Sequence, residues 1–167
     1  TVLGYPKKEI EDFWPADVQI VGKDILRFHA IIWPAILLGL GLPLPKVILS
    51  HGFVQSDGQK MSKSIGNKVN PMEVLEKHGV DAFRYYFLRH IDTFMDADFT
   101  WEKFENAYNG ELANDLGNLV QRLATLCQKN KVKVDDFKAN LDAEYLKLMD
   151  NFEFSKAMDY IWNKLQD

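Results

Sequence analysis

The sequence is poor in cysteine, in long apolar runs and in net positive charge. Among its 167 residues there is one cysteine, Cys127. A single thiol excludes an internal disulfide framework and a zinc site built from cysteines alone. It also fits a reducing compartment, so the protein is expected to be cytoplasmic. Ile31 to Leu44 is the most apolar stretch, but Pro34, Gly39, Gly41 and Pro43 interrupt it. It is also short for a membrane span, and no membrane partner is expected. Lysine and arginine number 20 against 24 acidic residues, a net charge of −4. That balance leaves no global basic footprint for nucleic acid, and any RNA contact must use local patches. What is present is material for a core: 47% of residues are hydrophobic and 13% aromatic, too many for disorder.

Apolar periodicity divides the chain. Residues 1–16 are polar, contain two prolines and read as a connection. Asp17 to Val21 alternates like a short buried strand and ends at Gly22. Lys23 to about Leu38 has helical spacing, with Pro34 expected to kink it or begin a second helix. Val47-Ile48-Leu49 reads as a second strand. Strand, helix, strand predicts a parallel βαβ unit with ligands at the carboxyl ends of the strands. Ser56-Asp57-Gly58 predicts a hairpin turn. Asn70-Pro71 predicts a helix start, with a stop at Gly79 and a new helix from Asp81. Helical spacing returns over 100–129, 143–149 and 155–165, and no strand pattern follows residue 91. The expected fold is therefore α/β, a partial Rossmann-type nucleotide-binding fold over residues 1–95, followed by an all-α helical bundle over 96–167. The chain opens at Thr1 in mid-pattern: Leu3-Gly4-Tyr5-Pro6 resembles the end of a helix from a longer protein.

Four groups of residues carry possible chemistry. The loop Lys60-Met61-Ser62-Lys63-Ser64 lies between Gly58 and Gly66 and has no apolar periodicity. Two lysines in a loop that glycines allow to move suit a clamp on a polyphosphate; an ordinary solvated turn has the same composition. Gly22-Lys23-Asp24-Ile25 follows a strand and opens a helix. Gly22 permits close approach of a ligand to the backbone, and Asp24 suits ribose hydroxyls or, equally, a helix cap. Ile25 and His29 share one helix face and suit a pocket for a small apolar amino acid; a histidine satisfied in a core fits as well. Asn118 and Arg122 project from one helix face and offer a base-edge pair and a stacking fork of donors; a solvated helix face is the competing reading. Trp101, Phe104 and Tyr108 recur at helical spacing and read as core. No metal-ligand spacing appears, so no metal site is expected within the chain.

With these groups assembled, the sequence resembles the methionyl-tRNA synthetases of bacterial type, a family of class I aminoacyl-tRNA synthetases. The likeness runs from about residue 1 to residue 130. It includes Trp14-Pro15-Ala16-Asp17, Gly22 to His29, Trp33-Pro34-Ala35, Gly41 to Pro45, His51-Gly52-Phe53, the lysine loop, Gly79 to Tyr86 and Leu112 to Leu119. The lysine loop alone would also fit the isoleucine, leucine, valine or cysteine enzymes. The resemblance implies ATP binding by Gly22, Asp24, Val54, Lys60, Ser62 and Lys63, with Lys60 and Lys63 catalytic on the phosphates. It implies methionine binding by Ile25 and His29, and anticodon contacts of tRNA(Met) by Asn118 and Arg122. ATP would arrive with magnesium. The family's first ATP motif, of the His-x-Gly-His type, and its zinc-bearing insertion have no counterpart here. The chain is therefore expected to hold half an active site and to be inactive alone. The alternative is a non-catalytic RNA-binding or assembly module derived from a class I synthetase.

Overall fold

The computed structural model describes residues 13–62, 64, 66–132 and 140–166. Most of the expected connection over residues 1–16, and Lys63, lie outside the described residues. The chain divides into two compact units, Thr1–Phe53 and Val54–Asp167. Both mix strands and helices, so the protein is α/β with small sheets and many helices.

In the first unit, β1 (Val18–Gly22) and β2 (Val47–His51) pair in parallel, from Val18 opposite Val47 to Gly22 opposite His51. Parallel neighbours need a crossover, and the helical stretch between them supplies it. Val21 and Leu49 are buried, while Ile20 is exposed, as strand alternation requires. The crossover is not uniform. A 3-10 turn at Lys23–Ile25 leads to a π-helical segment at Phe28–Ile32 and then α1 (Trp33–Gly39). Pro34 falls in the first turn of α1, directly after the π-helical segment, whose last bond runs from the Trp33 N–H to the Phe28 carbonyl. It does not begin a separate helix: Ile32 (φ −68°, ψ −51°) and Trp33 (φ −62°, ψ −48°) before it are already helical, so the run continues through the proline from the π-helical segment. The Trp14 indole N–H donates to the Pro43 carbonyl at 3.0 Å and its ring meets Trp33 edge-on, which ties the segment before β1 to the end of the crossover.

In the second unit, β3 (Val54–Ser56) and β4 (Gln59–Lys60) form the expected hairpin. Asp57 and Gly58 between them have φ of 54° and 69°, the left-handed pair of a two-residue primed turn. One expectation is corrected here. A strand does follow residue 91: β5 (Ala97–Phe99) pairs in parallel with β3. Three residues are too few to display alternation, so the sequence pattern could not reveal it. Asp98 in β5 also holds the hairpin turn, accepting from the Gly58 N–H at 2.8 Å and from Lys103 Nζ at 3.0 Å.

α2 (Pro71–His90) starts as expected, with the Asn70 side chain accepting from the Met72 N–H and Pro71 in the first turn. It breaks at Gly79, whose φ of 82° and ψ of 169° are not helical. α3 (Trp101–Ala107) is capped by Thr100 and passes through a nine-residue π-helical segment, Tyr108–Leu116, into α4 (Gly117–Lys129). α5 (Ala143–Asp150) and α6 (Phe154–Gln166) follow. The core gathers Val74, Ala82, Tyr86, Phe99, Phe104 and Ala107. Trp101 and Tyr108 pack against it, so the aromatic repeat is core.

A polar knot joins α2, the π-helical segment and α6. The Tyr85 hydroxyl donates to Glu111 at 2.5 Å and accepts from Arg89 Nη1 at 2.9 Å and Trp162 Nε1 at 2.6 Å. His90 Nε2 meets the same Glu111 oxygen at 3.0 Å. Burial pushes the Glu111 carboxyl up, but the hydrogen bonds from Tyr85 and His90, with the charges of His90 and Arg89, outweigh it. The carboxyl is held below its ordinary range. A lowered carboxylate contributes stability above its unfolded pKa and loses that contribution as pH falls through its folded value. Thermal unfolding followed between about pH 5 and pH 3 should therefore show a steeper acid loss in the wild type than in Glu111→Gln. Parallel curves would remove Glu111 from the acid transition.

Candidate functional site

The first group of candidate residues stands at the carboxyl end of the parallel pair. Gly22 and His51 are register partners there. Gly22 is extended, with φ −71° and ψ 150°, and no side-chain cap bond forms at the turn it opens. A Cβ on Gly22 would meet Asp24 Oδ1 at 2.8 Å. The Asp24 carboxylate thus lies against Gly22, and any larger residue at 22 would displace it. The exposed Asp24 presents acceptor oxygens beside backbone that only glycine leaves open.

Both histidines at this end are oriented by their own backbone. His29 Nδ1 is 3.0 Å from the Ile25 carbonyl and His51 Nδ1 is 2.8 Å from the Gly52 carbonyl. A carbonyl only accepts, so each Nδ1 carries the proton and, in the neutral ring, each Nε2 is the acceptor. His29 is half-buried and lines a concavity of about 300 Å³ with Gln19, Phe28, Ile32, Trp33 and Ile36. Its wall is apolar and aromatic, with the Gln19 amide and the His29 ring as polar groups. Ile25 contributes a carbonyl that orients His29 rather than a side chain to this lining.

The second group lies in the other unit. Val54 opens β3, half-buried and packed on the core. Lys60 belongs to β4, opposite Gln55, so the loop proper begins at Met61. Met61 and Val69 both pack against the core, and they anchor the loop at its two ends. Between them the backbone folds on itself. The Asn67 side chain accepts from the Ser62 N–H at 2.9 Å and donates to the Lys60 carbonyl at 3.2 Å. Gly66 N–H reaches the Ser62 carbonyl at 3.2 Å, and the Ser62 and Ser64 hydroxyls meet at 2.8 Å. Asn67 escaped the sequence reading, although Gly66-Asn67 is a turn signal. Asn118 and Arg122 are exposed and one turn apart on α4, as spacing predicted.

The first unit of this α/β protein thus carries a strand-end glycine with an acidic neighbour, and the second a lysine-bearing segment that leaves a hairpin. The chain belongs to the family described as tRNA synthetases class I (M), whose model it matches over residues 4–124. It is 44% identical to the methionine–tRNA ligase of Caldanaerobacter subterraneus subsp. tengcongensis, over 97% of this chain and 28% of that protein. It is 42% identical to the methionine–tRNA ligase of Listeria monocytogenes, over 98% of this chain and 27% of that protein. Among solved structures, the methionyl-tRNA synthetase of Mycobacterium tuberculosis in complex with methionyl-adenylate aligns with a TM-score of 0.82 at 37% identity, covering 98% of this chain and 36% of that one. The chain thus spans little more than a quarter of the length of the curated relatives it matches.

Proposed function

We propose that this chain works as a segment of a longer cytoplasmic methionine–tRNA ligase, which charges tRNA(Met) with methionine through methionyl-adenylate. The observation that carries the reading is the 37% identity, at a TM-score of 0.82 over 98% of the chain, to a synthetase solved with methionyl-adenylate. In this reading residues 1–95 are the second half of a Rossmann-type catalytic domain. Residues 96–167 begin a helical bundle that binds the anticodon.

Activation begins when the methionine carboxylate attacks the α-phosphorus of ATP. The bond to the β-phosphate oxygen breaks, and pyrophosphate leaves with its magnesium. The mixed anhydride then transfers methionine to the terminal ribose of the tRNA. Little proton movement is needed in the first step, so catalysis is positioning plus stabilisation of phosphate charge. Lys60 and Lys63 supply that charge. Gly22 and Asp24 receive the ribose, Val54 holds adenine through its backbone, and Ser62 contributes to the phosphate site. Ile25 sets His29, and His29 with its apolar neighbours receives the thioether side chain. Asn118 and Arg122 read anticodon bases. The exposure of that pair on one helix face supports the role.

Methionine-dependent ATP–pyrophosphate exchange, run side by side on residues 1–167 and on the full-length protein, tests the reading. Exchange in the full-length protein and none in residues 1–167 is the expected result. Exchange by residues 1–167 would mean that activation needs no further ATP motif. A full-length protein that binds tRNA(Met) without exchange would make it a non-catalytic RNA-binding module.

A further inference from the structure

We infer that Asn67 is a positioning residue of the lysine loop, fixing the backbone on both sides of Met61 so that the loop's charge is preorganised for phosphate. The inference rests on the adenylate-forming reading above. Its basis is that both bonds of one side-chain amide are used. Oδ1 takes the Ser62 N–H and Nδ2 gives to the Lys60 carbonyl. A primary amide is the side-chain group that offers an acceptor and a donor in one short plane. Aspartate keeps the acceptor and loses the donor, serine is too short to span both, and alanine keeps neither.

The partners matter as much as the bonds. Lys60 carries one candidate phosphate ligand, and Ser62 is the residue immediately before Lys63. Every polar contact described for Ser62 and Asn67 closes within residues 60–67: Asn67 to Lys60 and Ser62, Gly66 to Ser62, Ser64 to Ser62. Beneath them, Met61 and Val69 pack against the core and Lys60 is held opposite Gln55 in the hairpin. The two amide bonds therefore tie the loop's internal shape to the end of β4. A phosphate clamp gains from that, because donors aimed at developing charge contribute most when they need no reorganisation at the moment of reaction.

The test uses the full-length enzyme. Asn67→Ala should lower kcat for methionine-dependent pyrophosphate exchange about 10- to 100-fold, the scale of a small misplacement of reacting groups. KM for methionine should stay within about twofold, because the methionine site is untouched. The midpoint of thermal unfolding should move by no more than a few degrees, since both bonds close within one loop and neither joins it to the core. Asn67→Gln, which keeps donor and acceptor, should recover most of the lost rate. In the wild type, the Ser62 amide should exchange with solvent at least about tenfold more slowly than an unprotected amide, a readout that needs no variant to fold. Asn67→Ala with wild-type kcat in an active enzyme overturns the inference alone, as does an unprotected Ser62 amide. So does a variant that changes only KM for methionine. A wild-type enzyme with no exchange overturns the adenylate-forming reading and this inference with it.

Discussion

Adenylate formation falls by about two to three orders of magnitude when Lys63 is replaced by alanine in the full-length protein, the scale of losing one preorganised charge partner in a transition state. Methionine affinity stays within about twofold. The two effects separate because of when the charge is needed. In the ground state the triphosphate is already neutralised in part by magnesium. In the transition state, negative charge moves onto the leaving pyrophosphate, and in the proposed mechanism the lysine meets it there. In the proposed function the methionine side chain meets a different set of residues, His29 and its apolar neighbours Phe28, Ile32, Trp33 and Ile36, which line one concavity. Single-turnover kinetics with saturating ATP measure the rate, and equilibrium titration measures the affinity. A variant that loses methionine affinity and keeps its single-turnover rate would refute the phosphate role.

Phe104→Ala should destabilise the protein by about 3–5 kcal/mol, the range for removing a fully buried ring. Phe104 is 0% exposed. Its ring lies 5.4 Å from Tyr86, 6.0 Å from Phe99, 5.0 Å from His78 and 6.4 Å from Tyr108. Aromatic walls held in edge and stacked contacts collapse poorly into a void, which places the cost at the upper end for such a change. Phe104 also joins three consecutive elements, since Tyr86 is in α2, Phe99 in β5 and Phe104 itself in α3. The control is Phe94→Ala, where the ring is 49% exposed and the loss should stay below about 1 kcal/mol. Urea unfolding of the full-length protein and both variants measures the difference. Equal losses would show that the aromatic cluster does not dominate this unit.

The sequence revealed elements where the physics is local. Asn70-Pro71 reads as a helix start because a cap and a proline act within one turn. Asp57-Gly58 reads as a hairpin turn because both positions need left-handed backbone. Gly79 reads as a stop for the same reason. The parallel pairing of β1 with β2 follows from two apolar runs separated by a helix. What stayed illegible depends on partners distant in sequence. β5 is three residues long and exists through its ladder with β3. The Tyr85–Glu111–Trp162 knot joins residues up to 77 positions apart. At the site, the pairing of Ile25 with His29 was visible from spacing, but its form was not: the contact runs through a backbone carbonyl. The role of Asn67 was hidden because a loop has no period from which to read a contact.

The nine-residue π-helical stretch between α3 and α4 has a geometric consequence. An α-helix advances about 100° per residue, and a wider turn takes up extra residues without lengthening the rod in proportion. The stretch therefore acts as an angular offset between two straight rods of one continuous helix. The side of the first rod that buries Phe104 and Ala107 does not dictate which azimuth of the second rod carries Asn118 and Arg122. Loss or gain of one residue within Tyr108–Leu116 would turn that pair about a quarter of the way round the axis. A single insertion or deletion here thus re-aims the Asn118–Arg122 face while leaving every residue on it unchanged.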